Sequence, residues 1–216
     1  MTSERHVDEE RRGDAAGPEP DGLDEARAIE AMGAVLGRRV IALVGMMGSG
    51  KSSIGKRLAA KLNLPFVDSD AEIEAAAGMT VTDIFDRHGE PYFRDGERRV
   101  IARLLGEGPC VLATGGGAFM DARTRETIAR SAISVWLRAD QATLTQRMLR
   151  RNNRPLMRTA DPALQVERLL AIREPVYAKA ALIVDSSDRP HAEVVGALIV
   201  SLLAHLRRVE GSRAVS

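Results

Sequence analysis

Short apolar runs alternate with segments of helical periodicity along most of this chain of 216 residues. The apolar runs, each as long as a buried β-strand, occupy residues 40–44, 64–67, 110–114, 133–137 and 181–184. Between Ser53 and Leu62, in contrast, apolar residues recur every four positions with basic residues among them, as in an amphipathic helix. This alternation is typical of an α/β fold in which helices cover both faces of a mostly parallel sheet.

The first apolar run ends in a glycine-rich segment, the phosphate loop, which extends from Gly45 to Ser52 with the spacing G-x-x-x-x-G-K-[ST]. Its glycines let the backbone turn with N–H groups facing an anion. Lys51 and Ser52 open the following helix, whose positive end faces the same anion. The spacing therefore predicts a nucleoside triphosphate as the ligand; the alternative is a chance glycine-rich turn after a buried strand.

Polar and glycine residues also follow the second and third apolar runs. Asp68 and Asp70 lie two positions apart, so both carboxylates point to one side of an extended segment. They suit a metal ligand and a base, or alternatively the cap of a helix that starts near Ala71. Residues 115–117 are three glycines, which either let the backbone approach a ligand or serve only as a flexible turn. Because ligands of such folds gather at the carboxyl ends of the strands, we expect these segments beside the phosphate loop.

Arginines supply the remaining candidate chemistry. Arg94 lies three residues before Glu97 in a helical stretch, where the two side chains can pair, although a surface salt bridge would give the same pattern. Five arginines and no acidic residue lie between residues 147 and 158, where an Asn-Asn pair and a proline end the helix near Arg154. A loop arginine beside a phosphate site is typical of a lid that neutralises the transferring phosphoryl group. For Arg173, the spacing leaves a site role and a surface position equally open.

Charge divides the chain near residue 37. Residues 1–37 contain ten acidic and four basic residues, whereas the whole chain has a net charge of +1. We therefore expect residues 1–37 to form an acidic, disordered extension, within which residues 23–36 could form a short amphipathic helix. The basic remainder suits a polyanionic small substrate. Nucleic acid is not expected as a partner, because seven aromatic residues offer little stacking surface and no nucleic-acid motif occurs.

Composition also bears on the compartment of the protein. A single cysteine, Cys110, lies in an apolar run and excludes a disulfide framework. No apolar run reaches the ~18 residues of a membrane span, and the N-terminus lacks the apolar core of a signal peptide. We therefore expect a cytoplasmic protein with no membrane partner.

In combination, these motifs resemble those of the shikimate kinase family. The resemblance rests on residues 45–52, Asp68-Ser69-Asp70, Phe93-Arg94-x-x-Glu97, Thr114-Gly115-Gly116-Gly117, Arg154-Pro155-Leu156 and Arg173-x-x-x-Tyr177. These motifs occur in the family's order and at similar separations within residues 39–207. One departure is Met46-Met47, where other members often have Leu-Pro.

The resemblance implies a P-loop kinase fold, with a five-stranded parallel sheet sandwiched by helices. A substrate-binding helical region is expected at residues 69–100 and a mobile lid at residues 147–160. The kinase-like domain would comprise residues 38–208, between the acidic extension and a tail at residues 209–216.

The resemblance also implies the site residues. The catalytic residues would be Lys51, Asp70 and Arg154. The ATP site would consist of Gly48, Ser49, Gly50, Lys51, Ser52, Ser53, Arg147, Arg154 and Arg189, with Arg147 and Arg189 on the adenine side. The substrate site would consist of Asp70, Arg94, Gly115, Gly116, Gly117 and Arg173. The cofactor would be Mg²⁺, held by Ser52 and Asp68.

The activity that the resemblance implies is transfer of the γ-phosphoryl group of ATP to the 3-hydroxyl of shikimate, a step of aromatic amino-acid biosynthesis. ATP and shikimate would be the small-molecule partners, and we expect a monomer. One alternative is another small-metabolite kinase such as a gluconate kinase, which would not be expected to combine Arg94, Arg173 and the three glycines. The other is a nucleotide-binding regulatory module without turnover, against which the intact Lys51 and Asp70 stand.

Overall fold

The computed structural model of the protein describes Ile29, Met32, Gly33, residues 35–149 and residues 161–213. Its strands are β1 (Val40–Val44), β2 (Phe66–Asp68), β3 (Val111–Ala113), β4 (Ala132–Arg138) and β5 (Leu182–Asp185). They form one parallel sheet in the order β2-β3-β1-β4-β5. Each strand overlaps one of the five apolar runs, so the predicted parallel α/β sheet is confirmed.

Helices connect the strands and cover the sheet. They are α1 (Lys51–Lys61), α2 (Ser69–Ala77), α3 (Val81–Gly106), α4 (Ala122–Ser131), α5 (Gln141–Leu149), α6 (Pro162–Tyr177) and α7 (His191–Arg213). Gly89 interrupts α3 with a non-helical φ of 79°, and Pro91 follows it, so α3 consists of two helical halves joined by a kink. No helix among the described residues combines the length and the apolar character that a membrane span requires.

Both faces of the sheet are covered, which explains why its central strand is apolar along its whole length. Ile41 and Leu43 of β1 point to one face, where they pack with α1, α7 and the segment around Met32. The alternate residues Val40 and Val44 point to the other face, where they pack with residues of α3, α4, α5 and α6. The central strand is therefore buried between two helical layers.

The carboxyl ends of β1, β2 and β3 lie side by side. Leu43 of β1 and Asp68 of β2 both pair with Ala113 of β3, which lies between the other two strands. The segments that follow these three strands therefore start next to one another at one edge of the sheet, as the sequence predicts.

The chain joins the core before β1. Met32 and Leu36 are helical and almost fully buried against the face that α1 and α7 cover. Arg39 closes this segment, because its guanidinium donates to the carbonyls of Val35 at 2.6 Å and Leu36 at 3.2 Å. The packed part of the chain thus extends back to Met32, ahead of the boundary at residue 38 that the charge break predicts. Charge does not indicate these contacts because they are apolar.

We expect Met32→Ala and Leu36→Ala each to lower the free energy of unfolding by about 2–4 kcal/mol, because each substitution leaves a cavity in the core. Urea unfolding of the full chain measures the change, with Val200→Ala as the control, since Val200 is exposed on α7. Deleting residues 1–28 should leave the stability unchanged, whereas deleting residues 1–37 should lower it. Equal stability of the two truncated proteins would contradict the packing role of Met32 and Leu36.

Candidate active site

A cleft of about 270 Å³ opens at the carboxyl ends of β1, β2 and β3. Of the residues expected to bind the nucleotide, those that line it are Gly48, Gly50, Lys51, Ser52, Ser53 and Arg147. Asp68 and Asp70, which follow β2, and Gly116, which follows β3, line the same cleft. The structure thus brings the three predicted segments together. Residues 150–160, with Arg154 and most of the predicted lid, lie outside the described residues.

The phosphate loop is shaped by its last glycine. Gly50 has a left-handed backbone with a φ of 93°, which glycine adopts without strain, and α1 begins at the next residue. The first N–H groups of α1 therefore face the cleft, where they favour an anion. The Lys51 ammonium donates to the loop carbonyls of Gly45 and Met46, both at 2.8 Å. Ser49, in contrast, is buried, and its hydroxyl has no hydrogen-bond partner among the described residues.

Ser52 and Asp68 meet beside the phosphate loop. The Ser52 hydroxyl donates to Asp68 Oδ2 at 2.8 Å. The other carboxylate oxygen of Asp68 accepts from the Asp70 N–H at 3.1 Å and caps α2, which begins at Ser69 and not near Ala71. Asp68 therefore acts as the helix cap of the alternative prediction and still presents an oxygen beside Ser52.

This pair of oxygen donors fits a magnesium ion. Mg²⁺ takes oxygen ligands and is usually bound through one or two protein groups together with phosphate oxygens and water. Within the part of the chain that the structure describes, no three His, Cys, Asp or Glu side chains are grouped to hold a metal. A divalent ion at Ser52 and Asp68 would therefore depend on the phosphates of a bound nucleotide.

Arg94 is held between two glutamates of α3. Its Nη1 donates to Glu97 Oε2 at 2.7 Å, while its Nε and Nη2 donate to Glu90 Oε1 at 3.1 and 3.0 Å. Only 3% of the Glu97 side chain is exposed, so the pair of Arg94 and Glu97 is not a surface salt bridge. Burial raises the pKa of Glu97, the charge of Arg94 lowers it in part, and the charge of Asp70 raises it further.

The glycine loop, residues 115–117, approaches these side chains closely. A Cβ atom on Gly117 would lie 2.6 Å from Cζ of Arg94, so a side chain there would displace the guanidinium. The same position on Gly115 lies 2.6 Å from Glu97 Oε1 and 2.7 Å from Asp70 Oδ1. The glycine loop is thus packed directly on Arg94 and on two carboxylates, which accounts for its lack of side chains better than flexibility does.

Arg173 of α6 also reaches the glycine loop. Its Nη1 lies 3.9 Å from the Cβ position of Gly116 and 3.7 Å from the Met46 sulfur, a weak acceptor. Of the two positions that the spacing leaves open for Arg173, the structure therefore shows the one at the site. The Met46 side chain, which is part of the Met46-Met47 departure from the family pattern, contacts this arginine.

The side of the cleft where adenine is expected differs from the sequence prediction in one residue. Arg147 lines it, and its Nη2 donates to the Ser186 carbonyl at 3.0 Å. Arg189 does not line it, since its Nε lies 3.5 Å from Glu193 Oε2 on the exposed side of α7. His191, the first residue of α7, lines the cleft instead, and the sequence reasoning missed it. Burial lowers the pKa of His191, and the charges of two nearby arginines contribute to this.

This chain is similar to known proteins over most of its length. The model of the family described as shikimate kinase matches residues 47–203. The chain belongs to the shikimate kinase family. Membership in this family implies ATP as the co-substrate. A shikimate kinase of Bradyrhizobium diazoefficiens is 61% identical over 171 residues, which are 79% of this chain and 83% of that protein. A shikimate kinase of Nitrobacter winogradskyi is 54% identical over 180 residues, 83% of this chain and 84% of that protein.

Solved structures lead to the same family. The shikimate kinase from Acinetobacter baumannii in complex with shikimate has a TM-score of 0.76 and 35% identity, covering 80% of this chain and 97% of its own. A gluconokinase from Sinorhizobium meliloti has a TM-score of 0.51 and 24% identity over 82% of this chain and 96% of its own, which reflects the fold alone. The comparisons thus favour shikimate kinase over gluconate kinase. They confirm the resemblance and the P-loop kinase fold.

Proposed function

We propose that this member of the shikimate kinase family transfers the γ-phosphoryl group of ATP to the 3-hydroxyl of shikimate, giving ADP and 3-phosphoshikimate. The proposal rests on one geometric observation. The phosphate loop and Asp70 line one cleft, and Arg94 and Arg173 lie at the glycine loop beside it. A phosphoryl donor and a small acceptor with a carboxylate would therefore bind next to each other. The complex of the A. baumannii relative with shikimate supports this acceptor.

On the donor side, the groups of the chain would position ATP and neutralise its phosphates, with little covalent chemistry. Lys51 would place its ammonium on the β- and γ-phosphates, and the N–H groups at the start of α1 would bind the same phosphates. Arg147 and His191, which line the cleft, would lie beside the adenine ring of ATP. Arg154 would bring a further positive charge to the transferring group from the predicted lid.

Mg²⁺ is the cofactor that we propose, held by Ser52 and Asp68 together with phosphate oxygens. When bound, the ion supplies positive charge to the transferring phosphoryl group. Because Asp68 also caps α2, its carboxylate is fixed in position by the fold. The Ser52 hydroxyl, already within 2.8 Å of this carboxylate, completes the pair of protein ligands.

On the acceptor side, Asp70 would orient the 3-hydroxyl of shikimate and accept its proton as the hydroxyl attacks the γ-phosphorus. Arg94 and Arg173 would bind the carboxylate of shikimate, each through paired N–H groups. The glycine loop would offer N–H groups to the remaining hydroxyls. Glu97 would hold the Arg94 guanidinium in place for this contact through its 2.7 Å hydrogen bond.

A coupled assay of ADP release tests this function. With ATP and Mg²⁺ present, shikimate should start ADP release, and gluconate should not replace shikimate. Removing Mg²⁺ with a chelator should stop the release. No release with either acceptor is the result expected of a regulatory module, and release with gluconate alone would identify a different metabolite kinase; either result would contradict the proposal.

We expect Arg94→Lys and Arg173→Lys each to raise the Michaelis constant for shikimate about 5- to 100-fold, because a point charge cannot reproduce the paired hydrogen bonds of a guanidinium. The Michaelis constant for ATP should remain nearly unchanged. Arg99→Lys is the control, since Arg99 lies on the exposed side of the same helix, α3. If calorimetry finds that binding of ATP weakens as much as binding of shikimate, these arginines serve the nucleotide or the fold instead.

We also propose that residues 38–208 form the catalytic domain and that the chain acts as a cytoplasmic monomer. This proposal requires that the residues named above form the site within a single chain. Residues 1–37 would be an extension whose last part, from Met32, packs on the domain, and residues 209–216 would be a tail. Light scattering of the full chain at assay concentration measures the oligomeric state.

A further inference from the structure

Two buried hydroxyl groups hold the glycine loop. The Gly115 N–H donates to Ser69 Oγ at 2.9 Å, and the Tyr177 hydroxyl donates to the Gly116 carbonyl. Both side chains are buried without measurable exposure. Neither residue is among those proposed to bind ATP, Mg²⁺ or shikimate, so the reaction described above leaves both hydroxyls without a role.

Each hydroxyl ties the glycine loop to a helix that carries a proposed substrate residue. Ser69 is the first residue of α2 and directly precedes Asp70. Tyr177 is the last residue of α6 and lies about one turn after Arg173. These two hydrogen bonds therefore connect the glycine loop to Asp70, the proposed base, and to Arg173, which is proposed to bind the substrate carboxylate.

These hydrogen bonds set the direction of the N–H groups in the glycine loop. In a trans peptide, the N–H and the C=O point to opposite sides. Because Tyr177 holds the Gly116 carbonyl, the Gly117 N–H of the same peptide points away from Tyr177. The Ala118 N–H donates to the Gly115 carbonyl at 3.1 Å and in the same way orients the preceding peptide, which carries the Gly116 N–H. Three successive glycines without such restraints would sample many conformations.

The surroundings of Tyr177 keep its hydroxyl on the glycine loop. Its ring packs on Trp136, with 5.9 Å between the ring centroids. Burial raises the pKa of Tyr177, while the charge and hydrogen bonding of Arg173 lower it in part, so the hydroxyl stays protonated and able to donate at neutral pH. Replacing Tyr177 with phenylalanine would keep the packing and remove the hydroxyl, which donates to the Gly116 carbonyl and also interacts with Arg173.

We propose that Ser69 and Tyr177 are positioning residues of the acceptor site, because they fix the glycine loop relative to Asp70 and Arg173. The loop N–H groups and the side chains of Asp70 and Arg173 then meet shikimate in one arrangement. This inference rests on the proposed function. A loop that is fixed before binding loses less conformational freedom when the substrate arrives, and its donors are already aligned.

Tyr177→Phe and Ser69→Ala test this role, because each removes one hydroxyl and little else. We expect each variant to raise the Michaelis constant for shikimate about 5- to 30-fold, since one backbone group of the glycine loop loses its partner. The constant for ATP should change little. Amide hydrogen exchange in a peptide that spans residues 115–117 should become faster in both variants.

Ser134→Ala is a matched control for Ser69→Ala. Ser134 is a buried serine in β4, and its hydroxyl accepts the Ala181 N–H at 2.9 Å, much as Ser69 accepts the N–H of Gly115. It does not line the cleft. This variant should lose about as much melting temperature as Ser69→Ala but keep both Michaelis constants and the exchange rate of the glycine loop.

The positioning role would be overturned if the shikimate and ATP constants rise together, which indicates a general loss of structure, or if neither variant changes the shikimate constant. If Tyr177→Phe does not fold, Ser69→Ala and its control decide the question alone. A wild-type protein without shikimate-dependent ADP release would overturn the proposed function itself. Shikimate-dependent release that both variants share unchanged with the wild type would overturn the positioning role only.

Discussion

Asp70→Asn is expected to lower the turnover number by about 10²- to 10⁴-fold, because asparagine cannot accept the proton of the attacking hydroxyl. Asp70 lines the cleft, and its Oδ1 lies beside the glycine loop, where the acceptor hydroxyl would meet the γ-phosphoryl group. The fold should tolerate the change, since α2 is capped by Asp68 and not by Asp70. Binding of ATP and the requirement for Mg²⁺ should stay close to those of the wild type.

Asp68→Asn is the matched comparison, because the two carboxylates lie two residues apart and differ in their proposed roles. Turnover of both variants is measured at saturating ATP and shikimate over a range of Mg²⁺ concentrations. Asp68→Asn should raise the Mg²⁺ concentration that gives the half-maximal rate. A shift of this concentration in Asp70→Asn alone would exchange the two roles, and a loss of only a few-fold in both variants would leave helix capping as the function of the pair.

Lys51→Ala is expected to lower the turnover number by about 10²- to 10³-fold, because a fixed positive charge at the transferring phosphoryl group is lost. The Lys51 ammonium lies 2.8 Å from the carbonyls of Gly45 and Met46, which hold it at the mouth of the phosphate loop. Because these carbonyls belong to the phosphate loop, the ammonium lies beside the proposed position of the nucleotide phosphates. The loss should therefore be larger in turnover than in affinity for ADP.

Lys56→Ala is the control for this prediction, since Lys56 is an exposed lysine of the same helix and should not affect turnover. Affinity for ADP is measured by calorimetry, and turnover is measured at saturating ATP and shikimate. If Lys51→Ala keeps the wild-type turnover at saturation and loses only affinity, the lysine acts as a clamp for the bound nucleotide and not on the transferring group.

The sheet could be predicted from the sequence because each of its strands is a buried apolar run. The central strand occupies the predicted residues 40–44, since a pair of arginines and the phosphate loop bound it on either side. The second strand is predicted at residues 64–67 but spans Phe66–Asp68. The N–H of Leu64 bonds back to α1, which keeps this apolar residue out of the sheet. Asp68, although polar, still pairs with β3, and an apolar pattern does not indicate such a residue.

The site could be predicted where its residues share a local motif, as in the phosphate loop. Contacts between distant segments could not be predicted in this way. The Tyr177 hydroxyl and the Gly116 carbonyl are 61 residues apart in sequence, and no spacing rule connects them. Arg189 and His191 are only two residues apart in sequence, yet only His191, the first residue of α7, lines the cleft, and no sequence motif distinguishes them.

Trp136 is the single tryptophan of the chain, and it lies close to both the phosphate loop and the glycine loop, so its fluorescence can report on both. Its indole packs on Tyr177, which bonds the glycine loop, and its Cδ1 lies 3.2 Å from the Cβ position of Gly45, where the phosphate loop begins. Because only 6% of this residue is exposed, bulk solvent contributes little to its emission. A nucleotide at one loop and an acceptor at the other would each disturb the same natural fluorophore. We therefore expect both affinities to be measurable by intrinsic fluorescence, without a label or a coupling enzyme.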